Sequence, residues 1–233
     1  MASSDNPAVP RNRRRDLFEL CMAYGLILVV VWTPRPWQSF LWMVAAAFIA
    51  TVTCLSFDGL KAMGLRAANF FSSLWVVGVA LVAAAAAVLV AAKMHTLRMP
   101  PGPIQFFQTY AGYTIWAFVQ QFLLQSIFLS RLMRLLPDAR MAALLAAVIF
   151  AVAHLPNPVL TPVTLILGLA SCLVFLQYRN LYSLALAHAI LGISIAVSVP
   201  GPVDHNMRVG LGYLAYSQHH LSSARPPSLS PQP

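Results

Sequence analysis

Residues 118–128 read FVQQFLLQSIF. Three carboxamides, Gln120, Gln121 and Gln125, interrupt a run that is otherwise almost wholly apolar. What surrounds that run decides what the amides cost. The chain of 233 residues is 59% hydrophobic and 9% charged, with a mean hydropathy of +0.73. A water-soluble domain cannot bury so much apolar surface, so the composition implies an integral membrane protein. In lipid every polar group needs a partner inside the protein. The three glutamines are therefore expected to face a bundle interior.

Outward from this stretch, apolar runs long enough to span a bilayer recur. About 20 residues are needed, and seven candidates lie at roughly 17–33, 37–57, 70–92, 106–130, 141–156, 159–178 and 181–199, with six to eight as the range. The fifth is short and is closed by His154-Leu155-Pro156-Asn157-Pro158, where two prolines end a helix. Further helices within 58–70 or 207–220 would not be apolar enough to span. The expected fold is an all-α polytopic bundle. It divides into a basic segment (1–16), N-terminal helices (17–105), a core (106–199) and a polar, Pro/Ser-rich tail without order (200–233). LVAAAAAVLVAA at 81–92 reads as a helix fit for close packing.

The net charge of +9 lies between apolar runs rather than on one face, which argues against nucleic acid and for topology determinants. With the N-terminus in the cytoplasm, Arg11, Arg13, Arg14, Arg15, Lys61, Arg66, Arg131, Arg134, Arg140 and Arg179 fall inside, and only Arg35, Lys93, Arg98, Arg208 and Arg225 outside. Arg11 to Arg15 reads as a topology signal, and Trp32, Trp37 and Trp42 as an interfacial belt. The first apolar run ends in VVVWTPRPW, without a small-x-small cleavage pattern, so it reads as a retained helix rather than a signal peptide. The expected location is a bacterial inner membrane. Cys21, Cys54 and Cys172 are expected as buried thiols, not a disulfide framework.

Inside the expected spans the polar residues reduce to Gln120, Gln121, Gln125, His154 and His188, with scattered Ser and Thr. Such residues mark functional sites by default, although each taken singly also serves as interhelical glue. Gln121 and Gln125 share a helix face, being four apart. Gln120, His154 and His188 are spaced by 34 residues each time, a helix, a turn and a helix, which can bring three helices to one locus. His95, His205, His219 and His220 fall in loops or tail and form no convincing metal pattern.

FVQQFLLQSIFLSRL, AALLAAVIFAVAHLPNP and YRNLYSLALAHAILGI together resemble the CPBP family of intramembrane endopeptidases, which includes CAAX prenyl proteases and bacteriocin-processing proteins. The resemblance covers about 106–195. The family's second motif, Phe-x-x-x-His, is intact as Phe150 to His154. Its third, His-x-x-x-Asn, keeps His188 but has Gly192 in place of Asn. Its first, Glu-Glu-x-x-x-Arg, is replaced throughout by Gln120, Gln121 and Gln125. The resemblance implies an intramembrane site at these positions, supported by Phe150 and Asn157. There a first-motif glutamate activates water, and the substrate is a prenylated or membrane-embedded peptide.

A carboxylate can be tuned by burial into a general base; a carboxamide cannot, although it holds water by hydrogen bonds. The six acids, Asp5, Asp16, Glu19, Asp58, Asp138 and Asp204, all lie outside the cores of spans two to seven. Two neutral histidines leave a divalent cation short of ligands, so neither metal nor cofactor is expected. The reading is a catalytically impaired or repurposed member, its mutually bonded glutamines lining a neutral polar cavity for a lipid-like, isoprenoid or peptide ligand. The alternatives are an endopeptidase with an unorthodox base, an enzyme acting on an isoprenoid or other lipid, and a small transporter or structural membrane protein.

Overall fold

The computed structural model describes residues 12–223, and among these all regular structure is helical. α1 (Arg13–Val31) starts at Asn12, whose side chain accepts from the Arg14 N–H, so one orphan donor of the first turn is satisfied. α2 (Arg35–Leu55) follows Pro34. A 3-10 turn (Ala67–Asn69) leads through α3 (Phe70–Ser73) into α4 (Trp75–Lys93). α5 (Pro103–Phe122) continues without a break through a π-helical segment (Leu123–Leu129) into α6 (Ser130–Leu135). Then come α7 (Ala139–Val152), capped by Asp138, α8 (Leu160–Tyr178), and α9 (Leu181–Ser198), capped by Asn180. α10 (Gly201–Asp204) and α11 (Gly210–Ser223) close the described chain.

All seven expected spans are helical. Four stretches are long and apolar enough to cross a bilayer by themselves: Arg35–Leu55, Phe70–Lys93, Leu160–Tyr178 and Leu181–Ser198. α7 has only 14 residues. Trp37, Phe40 and Met43 on α2 and Val79, Val82 and Leu89 on α4 stand exposed. On a chain of this hydropathy that surface belongs against lipid, and the protein is a multi-pass membrane protein.

α9 packs between α4 and α5, α7 packs against α8, and α1 against α2 and α6. The core gathers around the π-helical segment, where Leu124, Ile127 and Leu129 meet Ala142, Ala143 and Ala146 of α7, all fully buried. Small side chains let these backbones approach closely. α4 carries the expected Ala/Val stretch and packs closely on α9, with Val77, Ala80 and Ala91 buried.

Two acids on α1 and two arginines on α6, each pair three residues apart, form a ladder. Arg131 donates from Nε and Nη2 to Glu19 Oε2 at 3.2 and 3.0 Å, and Arg134 Nη2 lies 2.7 Å from Asp16 Oδ1. Glu19 also accepts from Arg15 at 2.8 Å and from Ser56 at 2.9 Å. Arg131 is 1% exposed, so it ties α1 to α6 rather than standing as a loop cation.

Other expectations change. Residues 200–223 are not an orderless tail: they carry α10 and α11, and Asp204 and His205 are buried. Residues 1–11 and 224–233 lie outside the described residues, including most of the basic segment, Arg225 and the Pro/Ser-rich end. The side chains of His219 and His220 lie outside them too. Only Cys172 is a buried thiol; Cys21 and Cys54 are exposed.

Candidate active site

The π-helical segment follows directly on the last turn of α5, and π turns of this kind are frequent at functional sites. Gln121 ends α5 and Gln125 lies in the wider turn, both buried. Gln125 Nε2 donates to Gln121 Oε1 at 3.1 Å and to Ser171 Oγ at 3.2 Å. Ser171 gives its own proton to the Gly168 carbonyl at 3.0 Å, so toward Gln125 it can only accept. That orients both amides. The Gln121 NH₂ then faces His188 Nδ1 at 3.0 Å, Nδ1 is the acceptor, and Nε2 of His188 carries the proton. Gln125 Oε1 is buried with no partner among the described residues.

His154 sits at the end of α7. Its Nδ1 lies 2.7 Å from the Phe150 carbonyl, which accepts only, so Nδ1 is protonated and Nε2 keeps its lone pair. The Phe150 ring meets both imidazoles edge-on, with centroids 4.7 Å from His154 and 6.0 Å from His188. The second motif therefore fixes His154 twice, through a carbonyl and a ring, using residues one helical turn apart.

A cleft of about 1560 Å³ runs between α2 and α5, and Gln120, Phe150, His154, His188 and Gly192 all line it. Gln121 and Gln125 form a layer behind His188. The glutamines are thus not one mutually bonded trio, as the sequence reading had it: two are bonded to each other, while Gln120 faces the cleft. Asn157 does not line the cleft. Its Oδ1 accepts from the N–H groups of Val159 and Leu160, and its Nδ2 donates to the carbonyls of Asp204 and Arg208. It holds the chain at the start of α8 and ties down the segment after α9.

Two residues of the site escaped the sequence reading. Ser171 anchors the amide chain. Tyr113 lines the cleft on α5, and a Cβ built on Gly192 would overlap its hydroxyl. Its signal was present: Tyr113 lies two turns before Gln120 and Gln121, on their side of α5.

Around the two imidazoles the chemistry is neutral. Among the described residues lining the cleft there is no carboxylate. Nor do any three His, Cys, Asp or Glu side chains among the described residues come together in a way that could hold a metal ion. What faces the cavity is an acceptor (His154 Nε2), donors (His188 Nε2–H and the Tyr113 hydroxyl) and one carboxamide (Gln120). Such a set can hold and orient a polar group, but none of its members is an anion.

Residues 102–193 match the family described as type II CAAX prenyl endopeptidase, Rce1-like. Neither the curated proteins nor the solved structures yielded a match.

Proposed function

We propose that this membrane protein, whose residues 102–193 match the Rce1-like CAAX prenyl endopeptidase family, keeps an intramembrane-protease cavity and uses it to bind rather than to cut. The ligand is lipid-like or a membrane-embedded peptide. One observation carries the reading: the cleft that gathers Gln120, His154, His188 and Gly192 contains no carboxylate. Peptide hydrolysis needs a group that takes a proton from water, and the two first-motif positions that would supply it are amides.

The hydrogen-bond chain supports the same reading. With Gln121 donating to His188, this histidine presents an N–H to the cavity. A carboxylate at residue 121 would accept instead, and the imidazole would turn its protonated Nδ1 to it, as orienting carboxylates do elsewhere. The amide therefore sets the opposite tautomer, one that donates a hydrogen bond to a ligand. The proposal places the N-terminus in the cytoplasm of a bacterial inner membrane. Its support is the cation excess around Arg13, Arg14, Lys61, Arg66, Arg140 and Arg179, which persists when the paired Arg131 and Arg134 are set aside.

A second reading, an active endopeptidase, draws on His154. Its Nε2 is unprotonated and faces the cleft, so it is the one group there able to accept a proton. Restoration of the acids separates the two. Gln120→Glu with Gln121→Glu and Gln125→Arg, reconstituted in vesicles with a prenylated peptide reporter, is expected to gain cleavage over the parent. Equal cleavage by the parent and by the restored variant would overturn the binding reading.

A further inference from the structure

We infer that the cleft binds an amphiphile with one long apolar chain and an anionic head group, the head seated against Arg35 and Arg208. This rests on the reading of the cleft as a binding site, and it names the ligand's chemistry.

The first observation is the shape of the cleft. One face of α2 lines it from Arg35 through Gln38, Trp42 and Ile49 to Cys54. At 1.5 Å per residue that face is about 28 Å long, close to the roughly 30 Å of a bilayer's hydrocarbon core. α2 packs on α1, and across the cleft Trp42 meets Trp116 of α5, with ring centroids 5.1 Å apart. The space between α2 and α5 is a long apolar channel, a shape that fits an extended chain better than a folded one.

The second observation is the charge at one end. Arg35 starts α2, and Arg208 lies in the loop before α11, where a Cβ on Gly210 would run into Val31 at the end of α1. Both arginines line the cleft and both are exposed. Arg35 has no ion pair or hydrogen bond among the described residues. The Arg208 guanidinium lies over the Tyr216 ring, 5.1 Å from its centroid, an arrangement that leaves its N–H edge free. The third arginine at this end, Arg98, is already occupied. It donates to Asn206 Oδ1 and to the carbonyls of Ala196 and Val199, and it lies near the carboxylate of Asp204, which is fully buried. Two guanidinium groups thus stand without a counter-anion among the described residues, at the mouth of an apolar channel. Planar guanidinium groups match phosphate and carboxylate oxygens by paired hydrogen bonds.

The test uses the full chain in dodecyl maltoside and reads thermal unfolding with four additives: tetradecyl phosphate, sodium tetradecanoate, tetradecyl maltoside and inorganic phosphate. The two anionic chains are expected to raise Tm saturably by a few degrees, because a ligand bound only by the folded state stabilises it. Their ranking tells phosphate from carboxylate. Neutral tetradecyl maltoside and free phosphate are expected to do much less. The gain should vanish in R35Q/R208Q and persist in R66Q, which removes an exposed cation distant in sequence from both. A rise of equal size with tetradecyl maltoside, with free phosphate, or in R35Q/R208Q would overturn the assignment. If the double variant does not fold, the additive comparison on the parent chain decides alone. Peptide cleavage is read separately on the same preparation: turnover would refute the binding reading, whereas failure of the anionic chains to stabilise an uncleaving protein would refute this inference only.

Discussion

The hydroxyl of Tyr113 stands where a side chain on residue 192 would begin. The two residues share one space: Gly192 of α9 has no side chain, and α5 fills that volume with the Tyr113 phenol from the opposite wall. The cleft thereby gains a neutral hydrogen-bonding group beside Gly192, supplied by a different helix.

That packing is measurable. Gly192→Ala is expected to destabilise the protein by about 1–3 kcal/mol, the usual cost of overpacking. In a background of Tyr113→Ala the same substitution should cost little. Chemical unfolding of the two single variants and the double variant gives the coupling; additive effects would show that the two residues do not compete for one space.

The α1–α6 ladder supplies a second test. Glu19→Ala leaves Arg131 buried and unpaired, and a loss of about 3–5 kcal/mol is expected. Glu19→Leu with Arg131→Met should recover much of that loss, since a buried ion pair replaced by apolar groups is often neutral or better. Arg13→Ala, which removes an exposed contact to the Leu135 carbonyl, should change stability little.

Asp204 makes stability depend on pH. Burial raises its pKa above the ordinary 3.8, against the opposing effects of N–H donors and Arg98, and its Oδ2 has no partner among the described residues. With the folded-state value raised, stability is full below 3.8 and falls as pH rises through the folded-state pKa. Asp204→Asn does not titrate. Its Tm should exceed the parent's at neutral pH, and the gap should close as pH drops below 3.8. A gap independent of pH would contradict the assignment.

Much of this architecture was legible in the residues. Apolar runs set the helices, because lipid leaves the backbone few other choices. The bond from Gln125 to Gln121 follows from their spacing of four, and the convergence of Gln120, His154 and His188 on one cleft follows from their order along the chain. The rest depended on packing between distant segments. Asp16 and Glu19 read as the polar start of a helix because the arginines of α6 that pair with them lie more than a hundred residues away. The residues after 200 read as tail because their anchors are carbonyl groups held by Asn157, which no pattern in that segment reveals. Asn157 follows His154 and so reads as part of a motif, whereas its side chain binds the start of α8 and the carbonyls after α9. Tyr113 was passed over because an aromatic residue in a membrane helix is ordinary until the glycine facing it is known.

The central claim is that a cavity without a carboxylate does not hydrolyse peptides. The direct measurement is release of the C-terminal fragment from a prenylated peptide by the reconstituted parent protein, its intact mass confirming Gln120, Gln121 and Gln125 as amides. The account predicts release no faster than from protein-free vesicles. Sustained turnover that disappears in His154→Ala would contradict it, and would identify that imidazole as the base.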